Sequence, residues 1–327
     1  MINRKDYMIK TILLSIMKPT ILVGGQAVIE GVMMRVPGAY ATAVRDSNGK
    51  IHVDRKDYKS LGEKSIIWKR PILRGMAGLF ESMKMGMETL QWSADIAMPD
   101  EKNKPKNKIT DFLSSLFAIA LAISLFMIGP MWLTTYLLDV EKDAVMFNLT
   151  SGFFRISFFV LYLFLISQMN DVKRLFQYHG AEHRVVYNFE SGKKINIQNA
   201  QHFPTQHPRC GTSFMFIVLL SAIIVFSIVD TFILKLTGDI NLFSRLGFHL
   251  PMVPLVAGIS YELIKVSSRN ENLFFRILRA PGLWLQNITT RQPDDEMVAV
   301  AIVAIEKAFG KKLDSMSGKQ YVAEAVG

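Results

Sequence analysis

The run FLSSLFAIALAISLFMIGPMWLTTYLL, residues 112–138, decides the fold class because it carries no charged side chain over 27 positions. About 20 consecutive apolar residues are enough to cross a bilayer as a helix. The run is therefore predicted to span a membrane. The Gly129-Pro130 pair within it predicts a kink, because proline removes a backbone hydrogen bond from a helix.

Three further apolar runs follow along the chain. Residues 153–170 contain one charge, Arg155, placed near an end of the run, where its side chain is expected to reach the headgroups. Residues 210–229 are uncharged. The last run, residues 246–261, is the shortest at 16 residues and contains two prolines. It is expected to form a short or broken span or a re-entrant segment. Four spans are predicted in total.

The distribution of lysine and arginine predicts an orientation. Four lysines shortly precede the first run, and four basic residues follow the last. The loop between the second and third runs, residues 171–209, carries six, whereas the other two loops carry one and two. Because basic loops stay on the cytosolic side, both termini and the 171–209 loop are expected in the cytosol.

Composition agrees with a membrane protein. Hydrophobic residues make up 50% of the chain and charged residues only 20%, against about 25% in soluble domains. A single cysteine excludes a disulfide-stapled secreted scaffold. The net charge of +10 would suit nucleic acid or an anionic lipid surface. Because the lysines follow the membrane pattern and form no aromatic-basic module, the expected partner is the lipid bilayer, and no nucleic acid is expected.

The regions outside the runs are predicted to form a cytosolic α+β portion. Ser-Asn-Gly at 47–49 lies between two strand-like segments and predicts a β-hairpin. Residues 64–98 predict a helix that packs on this small β unit or, alternatively, lies on the inner leaflet. The apolar side chains at helical spacing are Leu73, Met76, Ala77, Phe80, Met83, Met87 and Leu90.

Three regions follow from these segments: an N-terminal region (1–108) ending in a linker, a four-span domain (109–264) and a helical C-terminal region (265–327). A C-terminal helix is expected to open at Pro293 with acidic residues and to run to about Phe309. The first residues imitate a signal peptide, but their apolar part is too short, and Lys18-Pro19 ends it. No cleaved signal is predicted, and Met17 is an alternative start.

The stretch most informative about chemistry is YHGAEH, residues 178–183, which has the pattern H-x-x-E-H. On a helix, His179 and His183 share one face and together can bind one Zn²⁺. Glu182 could then act as general base towards a water held there, as in inverted zincin motifs. The alternative is a pair of surface histidines that pair with Glu182. Gly180 also weakens a helix at this point.

Three other residues are predicted to reach the same cytosolic edge of the bilayer. His207 and Cys210 lie just before the third run, and Glu262 ends the fourth. His and Cys are both zinc ligands. The alternatives are a loop histidine, a small buried thiol, and a Glu262 that pairs with Lys265 one helical turn on.

The ligand set would decide what the site does. Three histidines, His179, His183 and His207, with an open fourth position predict a hydrolytic centre, whereas Cys210 as a fourth ligand predicts a structural one. Four of the six histidines fall in the 171–209 loop. The other two, His52 and His249, are assigned no role.

A glycine-containing stretch near the N-terminus, residues 23–35, lacks the spacing of a phosphate-binding loop. Its glycines are expected to permit tight backbone turns. Gln26, Glu30 and Arg35 are polar residues in an otherwise apolar run, and they are predicted to line a pocket that faces the metal loop.

Several of these stretches resemble the YqhQ-like family of bacterial multi-pass membrane proteins. The resemblance spans nearly the whole chain from about residue 18, and it implies a location in the bacterial inner membrane and a metal-dependent enzyme. The matching stretches are GGQAVIEGVMMR (24–35), YHGAEHR (178–184), HPRCGTSF (207–214), GISYE (258–262) and PGLWLQNITTRQPDD (281–295).

The leading hypothesis is a zinc-dependent hydrolase at the cytosolic membrane surface, acting on a membrane peptide or a lipid, with Glu182 as general base. The second is a non-enzymatic membrane scaffold or assembly factor with a structural metal. A transporter is disfavoured because the spans carry almost no charge, although a homo-oligomer could still assemble a pore.

Overall fold

The computed structural model describes residues 20–21, 23–99, 108–208, 210–270, 272–319 and 321–323. The signal-like segment, the alternative start at Met17 and most of the predicted linker lie outside these residues. The strands are β1 Thr20–Ile21, β2 Gly24–Val28, β3 Gly31–Val36, β4 Ala39–Arg45, β5 Ile51–Asp57 and β6 Val322–Ala323. The helices are α1 Leu61–Lys64, α2 Leu73–Ala97, α3 Lys108–Ile123, α4 Gly129–Leu137, α5 Ala144–Ile166, α6 Asn170–Glu190, α7 Ile197–Gln201, α8 Gly211–Thr237, α9 Leu242–Arg269, α10 Leu273–Thr289, α11 Asp295–Phe309 and α12 Leu313–Met316.

Within the described residues, four helical segments are long and apolar enough to cross a membrane, in agreement with the four predicted runs. They are Phe112–Leu137, Ala144–Ile166, Gly211–Thr237 and Leu242–Ser267. In the first, a π-helical stretch, Ser124–Ile128, separates α3 from α4 directly before the Gly-Pro pair. The fourth continues through both prolines as a helix of 28 residues, which does not fit the re-entrant alternative.

Arg155 lies in the middle of a helix, so its predicted position near a span end was wrong. α5 begins nine residues before the predicted run, because Asp143 caps its N-terminus by accepting from the Val145 and Met146 amides at 3.0 Å. The Arg155 side chain is buried, and its Nε donates to Phe126 O at 3.0 Å. Phe126 belongs to the π-helical stretch, so this arginine ties α5 to the interruption in the first candidate span.

The sheet that supports the site is antiparallel, in the order β2-β3-β4-β5. The predicted hairpin joins β4 to β5, and Gly49 takes the positive φ of 83° that its turn needs. One face of the sheet packs on α6 and α11, where Val32 and Ala41 are buried against Val185 and Val298. α11 has the predicted extent, with Asp294 as its N-cap. Its acidic first turn is structural.

α2 covers the other face of the sheet, but with a different surface from the one predicted. The predicted apolar face is largely exposed, since Phe80, Met83, Met87 and Leu90 are 44–70% accessible. The helix instead buries Gly75, Ala77, Met85, Thr89 and Ser93. Small and hydroxyl side chains allow this close approach, whereas a hydropathy pattern favours the large apolar ones.

The N-terminal end of α2 crosses α9 at close range. A Cβ on Gly75 would lie 2.6 Å from Tyr261 Cβ, and one on Gly258 would lie 2.6 Å from Ile72 O. α2 thus contacts a candidate membrane helix at one end and the sheet at the other. The middle part of α2 covers the space between α9 and the sheet, and the candidate site lies in that space.

Candidate metal centre

The H-x-x-E-H motif lies on α6, and its two histidines face the N-terminus of α8. The ligand atoms of His179, His183 and Cys210 all lie within 4.8 Å of one another. His179 Nε2 is 3.2 Å from Cys210 Sγ, and Cys210 is the N-cap residue of α8. The two histidines predicted to share a metal are therefore brought together with the single cysteine.

Backbone carbonyls fix the orientation of both imidazoles. His179 Nδ1 donates to Thr289 O at 2.8 Å, and His183 Nδ1 donates to Thr205 O. A carbonyl oxygen only accepts, so each Nδ1 carries a proton and each Nε2 is the nitrogen that remains for a metal. This is the arrangement in which metal-binding histidines are usually held by their outer partners.

The electrostatics of the pair favour a thiolate. Burial opposes ionisation of Cys210, but the neighbouring His179 and His183 outweigh it and hold the thiol pKa well below its usual value. Burial also lowers the pKa of His179, yet the Cys210 charge dominates and raises it to about 9. At neutral pH His179 is thus an imidazolium beside the thiolate, and loss of its Nε2 proton on metal binding would leave the sulfur and nitrogen donors that zinc prefers.

Glu182 is buried beside the two histidines. Its Oε2 lies 3.4 Å from His183 Nε2, and its side chain is 5% exposed. The sheet presses against it from the other side, because a Cβ on Gly25 would lie 3.0 Å from Glu182 Cγ and 2.2 Å from Met33 O. Gly25 thus permits a close approach of β2 to the carboxylate.

Gly180, which weakens the helix, has a packing role. A Cβ at this position would lie 2.1 Å from Arg291 O, so α6 touches the segment that follows α10 directly. Arg291 N also donates to Phe176 O at 2.9 Å. This contact holds α6 next to Thr289, whose carbonyl orients His179.

His207 lies beside the converging ligand atoms rather than among them. Its ring is 5.6 Å from that of His183, and its Nε2 is 3.5 Å from Glu190 Oε2. Its backbone N–H and C=O both bond to the Gln286 amide, at 2.6 and 2.9 Å. Burial and the neighbouring His183 lower its pKa to about 4.

Comparison with known proteins assigns the chain to a family. Residues 70–311 match a family described as proteins of unknown function, DUF1385. The chain belongs to this family. It is also 30% identical over 307 residues to YqhQ of Bacillus subtilis (strain 168), described as uncharacterized, and the match covers 90% of this chain and 93% of the relative. No solved structure matches the chain.

The residues that match the DUF1385 family include all the predicted metal ligands. One of these, Glu262, does not reach the site. It forms a bidentate ion pair with Arg74, with Nε–Oε1 at 2.7 Å, and accepts from Ile72 N at 3.2 Å. The prediction of Glu262 as a ligand was wrong in placement, because the N-terminus of α2 reaches this carboxylate first. Sequence spacing had suggested only Lys265 as its partner.

A cavity of about 320 Å³ opens at the candidate metal centre, lined by residues of β2, β3, α2, α6, α9 and the first turns of α8. Gln26 and Arg35 line it, as predicted, and Glu182 faces it. Glu30 does not line it, since it lies in the β2–β3 turn and pairs with Arg174 and the Tyr178 hydroxyl. The outer partners Thr205 and Thr289 act through backbone carbonyls, for which the sequence carries no signal.

A second buried polar group, which we call the Asp230 cluster, consists of Asn148, Asp230, Arg245 and His249. Asp230 binds all three others: Arg245, Asn148 Nδ2 at 2.7 Å and His249 Nε2 at 2.8 Å. All four are at most 3% exposed. His249 had been assigned no role, and Arg245 had been counted as a loop residue. They are instead the interior polar contacts among α5, α8 and α9.

Proposed function

We propose that the protein is a zinc-dependent hydrolase at the cytosolic surface of the bacterial inner membrane, with a membrane peptide or a lipid as substrate. The observation that carries this proposal is the convergence of His179, His183 and Cys210 next to Glu182 in a 320 Å³ cavity. Two nitrogens and one sulfur form a typical zinc set, and three protein ligands leave a position for chemistry.

Zinc bound there would supply Lewis acidity and ease the ionisation of water. The residues of the chain do the rest. Glu182 accepts the proton of the attacking water and passes it to the leaving group, since its carboxylate is buried 3.4 Å from His183 Nε2. Thr289 and Thr205 keep the Nε2 atoms turned inward, and Gln26 and Arg35 contact the substrate at the far wall.

Placement at the membrane is supported by the four candidate spans. The basic flanks favour a cytosolic position for both termini. The exposed apolar faces of α2 and α10 also support placement at the membrane. Phe80 and Met87 on α2, and Phe274, Ile277 and Trp284 on α10, are 57–70% accessible. Such faces suit helices that lie on the inner leaflet, which is the alternative predicted for residues 64–98.

A membrane scaffold with a structural metal is the second candidate, and His207 is the observation that favours it. Its ring lies 5.6 Å from His183, so a change of its side-chain rotamer would provide a fourth ligand and close the site. A wild-type protein that binds zinc but hydrolyses no substrate would favour the scaffold over the hydrolase.

The test is metal content and hydrolysis in the detergent-purified chain. About one zinc ion per chain is expected in the wild type, by inductively coupled plasma mass spectrometry. Glu182→Gln should retain zinc and lose hydrolysis of peptide and lipid substrates by about 100-fold or more, because only the base is removed. A wild type that takes up no added zinc would rule out the hydrolase. Loaded protein with four protein ligands and no hydrolysis would favour the scaffold.

A further inference from the structure

The inner edge of the sheet carries backbone groups without partners. β2 is an edge strand, because it pairs only with β3. In an antiparallel pair, hydrogen-bonded and non-hydrogen-bonded residue pairs alternate. The pair Val28–Gly31 flanks the two-residue turn and is hydrogen-bonded, so the pair Gln26–Met33 is hydrogen-bonded as well. Gly25 and Ala27 therefore direct their N–H and C=O away from β3. Within the described residues, neither makes a hydrogen bond on that side.

This free edge borders the cavity of the metal centre. Val23, Gly24, Gly25 and Gln26 all line that cavity. Alternate residues of a strand point to opposite faces, so four consecutive residues line one cavity only where it runs along the strand edge. The β2 edge at the cavity wall is thus open to a ligand backbone.

The two glycines make the edge accessible close to the reactive groups. A Cβ on Gly24 would meet nothing within 4 Å, so the space beside it is open. Gly25 touches the Glu182 side chain. A chain that bonds to Gly25 would therefore pass next to the general base and the His179 and His183 ligand atoms.

We propose that the site takes an extended polypeptide segment, which adds to the free edge of β2 as a further strand. This rests on the proposed hydrolase function and decides between its two substrate classes. Alternating N–H and C=O groups are complementary to another extended backbone, as in other edge-strand peptide sites. A glycerolipid offers ester oxygens to such an edge but no N–H donors for its carbonyls.

The reaction is then hydrolysis of a peptide bond. The oxygen of water bonds to the carbonyl carbon of the substrate residue that lies beside Glu182. The bond from that carbon to the amide nitrogen of the substrate then breaks. Glu182 moves one proton of the water to the departing amine. The products are a carboxylic acid and an amine, and at neutral pH the acid passes its proton to the amine to give a carboxylate and an ammonium group, so no further reactant is required.

The experiment uses the full-length, zinc-loaded protein in detergent and a fluorescein-labelled tetrapeptide of valine and leucine with a C-terminal hydroxamate. Acetohydroxamate reports the metal alone. Two isomers of the tetrapeptide are each N-methylated at one of two successive amides. Only one of these amides can face β2, so one isomer should bind about tenfold more weakly and the other should bind nearly unchanged, by fluorescence anisotropy.

The variant Ala27→Pro removes one edge N–H without touching a bond to β3, and Ala27→Val is the matched control that keeps it. Ala27→Pro should weaken tetrapeptide binding by about fivefold to tenfold relative to Ala27→Val, with acetohydroxamate binding and zinc content unchanged. Should this variant fail to fold, the two isomers still decide the question on the wild type.

The outcomes separate this inference from the proposed function. Equal binding of both isomers, or a tetrapeptide that binds no better than acetohydroxamate, overturns the edge-pairing inference alone. So does release of fatty acid from phosphatidylglycerol vesicles by the wild type but not by Glu182→Gln. Absence of zinc and of acetohydroxamate binding overturns the hydrolase and this inference together.

Discussion

The candidate metal centre and the Asp230 cluster are both buried and polar, and both join several helices, yet their chemistry differs. In the Asp230 cluster, one carboxylate receives bonds from an arginine, an asparagine and a histidine, and Arg245 also donates to Glu141 O. In the metal centre, the outer nitrogens of the histidines are bonded and the inner ones converge on a cavity.

The difference shows that buried polarity alone does not mark a functional site. The Asp230 cluster ties helices together, because all three of its other members bond to the one carboxylate. A site has donor atoms that are held in place but not consumed, next to space for a ligand. The family relationship does not separate the two, since both lie within residues 70–311. Four experiments test the contrast.

The largest effect is expected from His179→Ala/His183→Ala. Zinc should fall from about one ion per chain to below about 0.1, because two of three ligands are lost. The matched control is His202→Ala, which removes an exposed histidine of the same region. Mass spectrometry of metal content checks both. Zinc retained in the double variant would place the metal elsewhere.

Next in size is Asp230→Ala, which should leave zinc content unchanged. It leaves the buried Arg245 guanidinium without its carboxylate partner, so the free energy of unfolding should fall by about 3–5 kcal/mol. Unfolding in mixed detergent micelles measures this, with the exposed Asp239→Ala as control. Loss of zinc without loss of stability would reverse the roles given to the two regions.

The same substitution at two glycines should have opposite effects. Gly180→Ala forces a Cβ to within 2.1 Å of Arg291 O and should cost about 1–3 kcal/mol while weakening zinc binding. Gly247→Ala, near the Asp230 cluster, meets nothing within 4 Å and should leave stability equal or up to about 1 kcal/mol higher. Thermal unfolding and zinc titration compare them. Equal effects would mean that α6 is not confined at Gly180.

The smallest effect is expected from Glu262→Gln, which tests the residue that the structure removes from the ligand set. Its pair with Arg74 is partly exposed, at 21% and 31%, so the cost should be about 1 kcal/mol or less. Zinc content should not change. A zinc content well below the wild-type value would return Glu262 to the metal.

Hydropathy predicted the fold class well because apolar length is the dominant constraint on a membrane helix. It placed the start of α5 too late, because the polar side chains of Asn148 and Ser151 interrupt the apolar pattern. Both lie inside the helix at buried positions. It also assigned the wrong face to α2. Large apolar side chains such as Phe80 pack in soluble proteins but face lipid in a helix on the membrane surface.

The site was predictable as far as its side chains carry a pattern. The H-x-x-E-H spacing gave His179, Glu182 and His183, and the position of Cys210 before the third run placed it nearby. The contacts that orient these groups use the carbonyls of Thr205 and Thr289, and every residue has a carbonyl. The Arg74 partner of Glu262 lies 188 residues away in sequence, so no local pattern could reveal it.

The packing of α11 on β3, β4 and α6 has a consequence for the order in which a cell makes this protein. The ribosome finishes β5 about 240 residues before α11 begins, which at about 5–20 residues per second is roughly ten to fifty seconds of synthesis. During that time Val32 and Ala41 lack the helix that buries them in the finished chain. The candidate ligands His179, His183 and Cys210 all precede α11 in the chain, so they are synthesised before the helix that completes the packing of the sheet and α6. The candidate site therefore gains its complete packing only after α11, which ends at Phe309, has been synthesised.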